Sequence, residues 1–234
     1  MLNPSLSVIV PILNEGAGLE QFLRDLKGCL SDRVEIIVVD GGSHDDSFPL
    51  AVLCADQCLK SSRGRAVQMN RGASIAKGDV LLFLHADTRL PDQAELRIVR
   101  ALSKPQEVWG YFFVRLSGCS RWFRMIAFMM NHRSRLTHMA TGDQAIFVRR
   151  SVFESLGGFA AIDLMEDLSL SQKLRKICAP VCLREYVQTS SRRWEKHGIL
   201  RTILTMWLLR GLYALGVSPA LLARWYYGNH DDKK

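Results

Sequence analysis

Three short runs constrain this chain more than anything else in it. Ser7–Leu13 (SVIVPIL), Val34–Val39 (VEIIVV) and Val80–Leu84 (VLLFL) are apolar almost without interruption and rich in β-branched residues. A strand with one wet face alternates, whereas one covered on both faces does not, so these read as strands inside a two-sided core. The segments between them are helical in spacing. Gly16–Leu30 carries Leu19, Phe22, Leu23, Leu26 and Leu30 at intervals of three and four. Asp45–Ala55, Gly64–Ala76 and Pro91–Leu102 read as further helices. Strand and helix in alternation predict an α/β fold: a mostly parallel central sheet with helices on both faces.

The order loosens beyond that point. Trp109–Leu116 and Gln144–Arg149 read as strands, and Trp122–Leu136 as a basic amphipathic helix rich in Met and Phe. Glu166–Ile177 and Ile199–Leu215 read as helices, with a shorter one after Ser218-Pro219 and a polar, fraying tail at Asn229–Lys234. The expected organisation is one domain over residues 1–195, with residues 196–234 as its amphipathic helical extension.

Composition narrows the class. With 234 residues, 48% apolar and 23% charged, the chain is neither collagen-like, low-complexity nor disordered. Its net charge of +8 is uneven: residues 1–118 carry 13 Lys/Arg against 14 Asp/Glu, residues 119–234 carry 18 against 9. A basic second half suggests an anionic partner. The six cysteines include two C-x3-C pairs with no nearby His, which favours buried free thiols in a reducing compartment over zinc. Met1–Ser7 has no secretory character, and no run of 18 uncharged apolar residues exists, so a cytoplasmic protein is expected.

In an open parallel sheet, ligands sit beyond the carboxyl ends of the strands. The first run ends in Pro11-Ile12-Leu13-Asn14-Glu15, the second in Asp40 with Ser43, Asp45 and Asp46 behind it, the third in His85-Ala86-Asp87. Carboxylates gathered on one edge repel each other unless a cation or donors intervene. Mg or Mn carrying a phosphorylated ligand would resolve this. Asp45 and Asp46 also fit simple helix capping.

These residues resemble a known family. Val10-Pro11-x-Leu13-Asn14-Glu15, then Val38-Val39-Asp40-Gly41-Gly42-Ser43-x-Asp45, then Phe83-Leu84-His85-Ala86-Asp87-Thr88, with Gly142-Asp143-Gln144 and Glu166-Asp167-Leu168-x-Leu170, look like a family 2 glycosyltransferase of GT-A (Rossmann-like) fold. The resemblance spans roughly residues 6–195. Within the family, Gly64–Ala73, Phe83–Pro91 and Arg192–Gly198 look most like the bacterial group associated with radical-SAM and selenodomain genes.

The resemblance implies roles. Pro11, Leu13, Glu15, Asp40 and Gly41 would surround the nucleotide base or ribose, with Arg65 (or the equally placed Arg63) close by. His85 stands where the family has the first acid of Asp-x-Asp, which leaves the metal's identity open between Mn and Mg, and Asp87 is the metal ligand. Asp167 would be the general base of an inverting transfer, with Glu166 as runner-up. Arg192 and Arg193 would meet the diphosphate. Trp194 and Asp143 would face the acceptor. The partners implied are a nucleotide-sugar donor, UDP-linked by preference, and a hydroxyl acceptor.

The helices Trp122–Leu136 and Ile199–Tyr227 fit a core, the inner face of a membrane, or a second copy of the chain, so a lipid-linked acceptor is compatible. Nucleotidyl transfer is the alternative reaction, but the first turn is acidic where that chemistry wants a glycine-rich basic loop. Methyl transfer lacks its G-x-G-x-G. A non-catalytic nucleotide-sugar binder is the other alternative, and no nucleic-acid partner is expected.

Overall fold

The computed structural model describes residues 6–228. The tail Asn229–Lys234 and most of Met1–Ser7 lie outside the described residues. Eight strands form one sheet: β1 (Leu6–Ile12), β2 (Glu35–Asp40), β3 (Gln57–Lys60), β4 (Val80–Phe83), β5 (Thr88–Arg89), β6 (Trp109–Leu116), β7 (Phe147–Arg149) and β8 (Val181–Thr189), in the order β3-β2-β1-β4-β7-β6-β8-β5. The half β3-β2-β1-β4 is parallel throughout. Beyond it β7 runs antiparallel to β4 and β6, β8 parallel to β6, and β5 antiparallel to β8. The sheet is therefore mixed: the half that the sequence predicted is parallel throughout, and the other half keeps one parallel pair, β6 with β8.

Helices cover both faces. One layer packs α1 (Gly16–Cys29), α2 (Ser47–Cys54) and α4 (Ala94–Ala101) on the side chains of Val8, Val10, Ile36 and Val38. The other packs α3 (Arg65–Ala73) and α7 (Glu166–Leu174) on Ile9, Ile37, Val39 and Leu81. Successive strand residues face opposite layers and are fully buried, which is why these runs are apolar without alternation. Further along the chain, α5 (Arg121–Thr137) lies on β6. Its Asn131 takes the Val114 N–H at 2.9 Å and gives back to the Val114 carbonyl at 3.0 Å. After the short α6 (Arg150–Ser155) and α8 (Arg192–His197) come α9 (Ile199–Ala214) and α10 (Pro219–Gly228). Leu209, Leu222 and Tyr226 from α9 and α10 pack on Met165 and Leu168, at the start of α7. Ile199 and Ile203 pack with Trp194 on Leu116, Phe123 and Ile126. These helices thus cover the sheet's end.

Three sequence expectations shift. The helix expected from Asp45 begins at Ser47, because Asp45 is used as an acceptor between α1 and α2. The strand expected from Gln144 begins at Phe147, because Gly142–Gln144 is a 3-10 turn closed by a Thr141–Gln144 capping box. The six cysteines are free, but none is fully buried, and Cys119 is exposed.

Candidate active site

The carboxyl ends of β1, β2 and β4 lie side by side, with Ile12 in register with Asp40 and Ile9 with Phe83. The turns after β1 and β2 are stitched together by short bonds. Asn14 N–H donates to Ser43 Oγ at 2.9 Å, Glu15 N–H to Ser47 Oγ at 2.8 Å, and Gly16 N–H to Asp45 Oδ2 at 3.0 Å. Asn14 sits in the left-handed region at φ 54°, where Asn is among the better tolerated residues. Behind the turns, Gln68 Nε2 donates to both the Ile12 and Val39 carbonyls at 2.8 Å. Gly41 must be small there: a Cβ would stand 2.9 Å from Gln68 Oε1.

A cavity of about 980 Å³ opens in front of this edge. Pro11, Leu13, Glu15, Arg65, His85 and Asp87 line one end of it, and Asp143, Arg193 and Trp194 line it further along. Of the predicted residues, these nine share the space. Asp40 and Gly41 do not line it. Asp40 is 1% exposed, and its carboxylate accepts from Gly42 N–H at 3.1 Å and from both Ser43 N–H and Ser43 Oγ. It shapes the turn from beneath. Arg192 is exposed and reaches the site through its charge on Glu15. Asp87 takes a 3.3 Å bond from Thr88 Oγ1. Burial, and then the charge of Asp87, push the Glu15 carboxyl above its ordinary pKa. This is the like-charge conflict expected of the edge, between Glu15 and Asp87 rather than between Asp40 and Asp87.

A second constellation is built around His85 and Asp143, which both line the cavity. His85 Nδ1 meets Asp143 Oδ1 at 3.6 Å. Burial works against the charge of Asp143, but His85, Arg193 and Arg65 outweigh it and hold its pKa well below the carboxylate range. The Gly142 N–H donates to Asp167 Oδ2 at 2.8 Å, and Leu168 N–H to Asp167 Oδ1 at 2.7 Å. So the 3-10 turn ties the start of α7 to His85 at the end of β4. Gly142 makes this close approach feasible, since a Cβ there would stand 2.7 Å from His85 Nε2. Met165, at φ 69°, turns the chain sharply into Glu166-Asp167. Glu166 is 7% exposed. Burial and the adjacent Asp167 raise its pKa, against the pull of Arg65. Burial also disfavours the charge on Arg65, but Glu166, Asp143 and Asp167 together hold its pKa above the ordinary value. Glu166 and Asp167 lie behind the cavity wall, and this charge links them to it through Arg65.

The residues present fit a divalent cation in one respect: Asp87 offers hard carboxylate oxygens to the cavity beside a second carboxylate whose repulsion a cation would relieve. Among the described residues no three His, Cys, Asp or Glu side chains form a metal-ligand group. A bound ion would therefore draw its remaining ligands from elsewhere.

Sequence reasoning missed the cavity's far wall. Arg133 of α5 and Arg210 of α9 line it, with Met130, Met206 and Trp207. Arg133 follows Ile126 and Met130 on one helical stripe, and Arg210 follows Ile203 and Met206, at the three-and-four spacing that would ordinarily hold aliphatic residues. That was the signal available.

The architecture is the Rossmann-like GT-A fold of glycosyltransferases, with its site at the parallel edge. Residues 7–157 match the model of Glycosyl transferase family 2, and the chain belongs to that family. An uncharacterized glycosyltransferase of Mycobacterium tuberculosis (strain H37Rv) is 30% identical over 192 residues, covering 77% of this chain and 72% of that protein. The undecaprenyl-phosphate 4-deoxy-4-formamido-L-arabinose transferase of Aeromonas hydrophila is 33% identical over 149 residues, 58% of this chain and 44% of that one. Among solved structures, a mannosyltransferase from Pyrobaculum calidifontis, in complex with GDP-Man and Mn2+, superposes with a TM-score of 0.65 at 20% identity, covering 100% of this chain and 66% of its own. Glucosyl-3-phosphoglycerate synthase from Mycobacterium tuberculosis, in complex with Mn2+, UDP and glucosyl-3-phosphoglycerate, gives a TM-score of 0.60 at 18% identity, covering 80% of this chain and 71% of its own.

Proposed function

We propose that the protein is an inverting, metal-dependent glycosyltransferase that moves a sugar from a nucleotide sugar, UDP-linked by preference, to a hydroxyl acceptor. One observation carries the reading. The Gly142 N–H fixes the Asp167 carboxylate at 2.8 Å, on the same turn that presents Asp143 to the cavity shared with Asp87. The candidate base is thus held just behind the wall, next to the residue that meets the candidate donor site.

The chemistry follows. The acceptor oxygen bonds to the anomeric carbon from the face opposite the diphosphate. Its proton passes to Asp167, and the bond from that carbon to the diphosphate oxygen breaks, its electron pair leaving with the nucleoside diphosphate. Pro11 and Leu13 offer an apolar ledge for a flat base, and Glu15 and Arg65 stand beside it. Asp40 and Gly41 hold the turn in shape for this, and Arg192 and Arg193 stand by the diphosphate charge. Trp194 and Asp143 meet the sugar and acceptor. A bound Mn2+ or Mg2+ at Asp87 would neutralise the leaving diphosphate. The two solved relatives in complex with Mn2+ support a divalent metal there. The stretches Gly64–Ala73 and Arg192–Gly198 favour the radical-SAM and selenodomain-associated group within the family.

The outer faces of α5 and α9 bear on location. Leu204 is 66% and Trp207 61% exposed, and Phe128 is 68%, with Arg121, Arg124 and Arg201 around them. Among the described residues no helix is long and apolar enough to cross a membrane. This face fits peripheral contact with the cytoplasmic leaflet better than pairing with a second copy, because its cations match anionic lipid and repel their own duplicates.

Thermal shift with nucleotide sugars, with and without Mn2+, tests the core of the proposal. UDP with Mn2+ is expected to raise the melting temperature, and Asp87→Ala to abolish the metal-dependent part. No response to any nucleoside diphosphate at millimolar concentration would overturn it.

A further inference from the structure

We infer that the far end of the cavity is an acceptor subsite for an amphiphile that carries a phosphate group beside an apolar body, with Arg133 and Arg210 holding the phosphate. The assignment of this anion to the acceptor rests on the transferase reading. Arg133 Nε and Nη1 are buried without a hydrogen-bond partner, and only Nη2 is engaged, by Ser134 Oγ at 3.1 Å. Buried donors are rarely left unpaired, because each forgoes water without compensation. The strongest charge acting on Arg133 is that of another cation, Arg210. Among the described residues neither guanidinium has a carboxylate within 4 Å. Both are pushed below the ordinary arginine pKa, first by burial. Two helices therefore bring to one cavity two cations with no carboxylate partner, one of them with buried donors left unbonded.

The chemistry of the occupant follows from that pairing. Two planar forks with one charge each suit a doubly charged tetrahedral group better than a single carboxylate. Three other arginines serve the donor diphosphate: Arg65 and Arg192 act on Glu15 beside Asp87, and Arg65 and Arg193 act on Asp143. Arg133 and Arg210 are not among the charges that act on Glu15; their carboxylate neighbours are Asp167 and Asp143, beside the candidate base. Ile126, Met129, Met130, Ile203, Met206 and Trp207 line the cavity around them. Met129 and Trp207 are also 45% and 61% exposed, so the apolar wall continues from the cavity to the surface. A chain can leave along it, and methionine adapts to chains of varied shape.

The test uses the full-length protein with UDP and Mn2+ present. Decyl phosphate, decanol and inorganic phosphate are each titrated by calorimetry, below the micelle concentration. Decyl phosphate is expected to bind at least tenfold tighter than either of the others. Arg133→Gln and Arg210→Gln should each weaken decyl phosphate at least tenfold while leaving decanol and the UDP·Mn2+ response unchanged. Equal binding of decanol and decyl phosphate would overturn the proposal. So would inorganic phosphate binding as tightly as decyl phosphate, or indifference to both substitutions. Should Arg133→Gln fail to fold by circular dichroism, Arg210→Gln alone decides. Loss of the UDP response in the unmodified protein, measured apart from the decyl phosphate titration, would instead strike at the transferase reading.

Discussion

The two ends of the cavity are built on different principles. At the sheet edge, almost every polar group has a partner. Asp40 is saturated by Gly42 and Ser43, Asp45 holds the Gly16 and Ser47 amides, and Asp167 holds those of Gly142 and Leu168. At the far wall, α9 and α10 are held by apolar packing on Met165 and Leu168, while Arg133 keeps two donors unpaired. A stitched edge fixes geometry, as chemistry on a reacting bond requires. A greasy wall with idle cations accepts a variable ligand and pays for it in unmet hydrogen bonds. The difference predicts that substitutions at the edge cost turnover and stability, whereas those at the wall change binding.

The largest effect is expected at Asp167. Asp167→Asn keeps an acceptor for the Gly142 N–H but removes the base, so turnover should fall by about a hundredfold or more, the scale of general-base catalysis. Steady-state assay of nucleotide-sugar turnover, with UDP·Mn2+ binding retained, checks this. Near-normal turnover would move the role to Glu166 and dissolve the link between geometry and chemistry at the edge.

Gly142→Ala asks whether the edge is as tight as it looks. The added Cβ would meet His85 Nε2 at 2.7 Å and Cε1 at 2.8 Å. Overpacking of this kind costs about 1–3 kcal/mol, and the shift should loosen Asp167 as well. Urea denaturation should show the loss, and the same protein should turn over more slowly.

How much of this was legible in the sequence differs between the ends for the same physical reason. β1, β2 and β4 are buried on both faces, so their runs of Val, Ile and Leu announced them. The edge motifs followed because acids and a histidine terminating such runs are conspicuous. β8 did not announce itself: in Val181–Thr189, Arg184, Tyr186 and Gln188 face outward and only Val187 and Thr189 are fully buried. Short β3 and β5 owe their strand character to the neighbours they pair with. Glu166-Asp167 was readable as a motif, but its attachment to Gly142 and His85 needs the fold. Arg133 and Arg210 looked like ordinary charges on basic helices. Only their place on the apolar stripe hinted otherwise, and their convergence joins helices far apart in the chain.

Glu166 supplies a pH test of the edge. Its pKa is pushed up to about 7 by burial and then by Asp167, from an ordinary 4.5. Between these values the folded state holds the proton more tightly than the unfolded state does. Stability therefore falls as pH rises through that window and levels off above it. In Glu166→Gln the fall should be smaller, and at pH 7.5 the variant should melt above the parent. Parallel melting curves from pH 5 to 7.5 would mean that Glu166 is not strained, and that the edge stores its strain elsewhere.

The smallest effect belongs to the outer side of the helix that carries Arg210. Gly211 lies inside α9, and a Cβ added there meets nothing within 4 Å. Glycine in a helix interior costs roughly 0.5–1 kcal/mol relative to alanine, because it surrenders more backbone freedom on folding. Gly211→Ala should therefore gain up to about that much in urea denaturation, with nucleotide-sugar turnover unchanged. Set beside Gly142→Ala, it is the same chemical change with opposite sign. At the edge the methyl group meets His85, whereas on the exposed side of α9 it meets nothing and the helix gains stiffness. If Gly211→Ala lost stability instead, α9 would be packed more closely than its apolar contacts indicate, and the contrast between a fitted edge and a loosely held α9 would not hold.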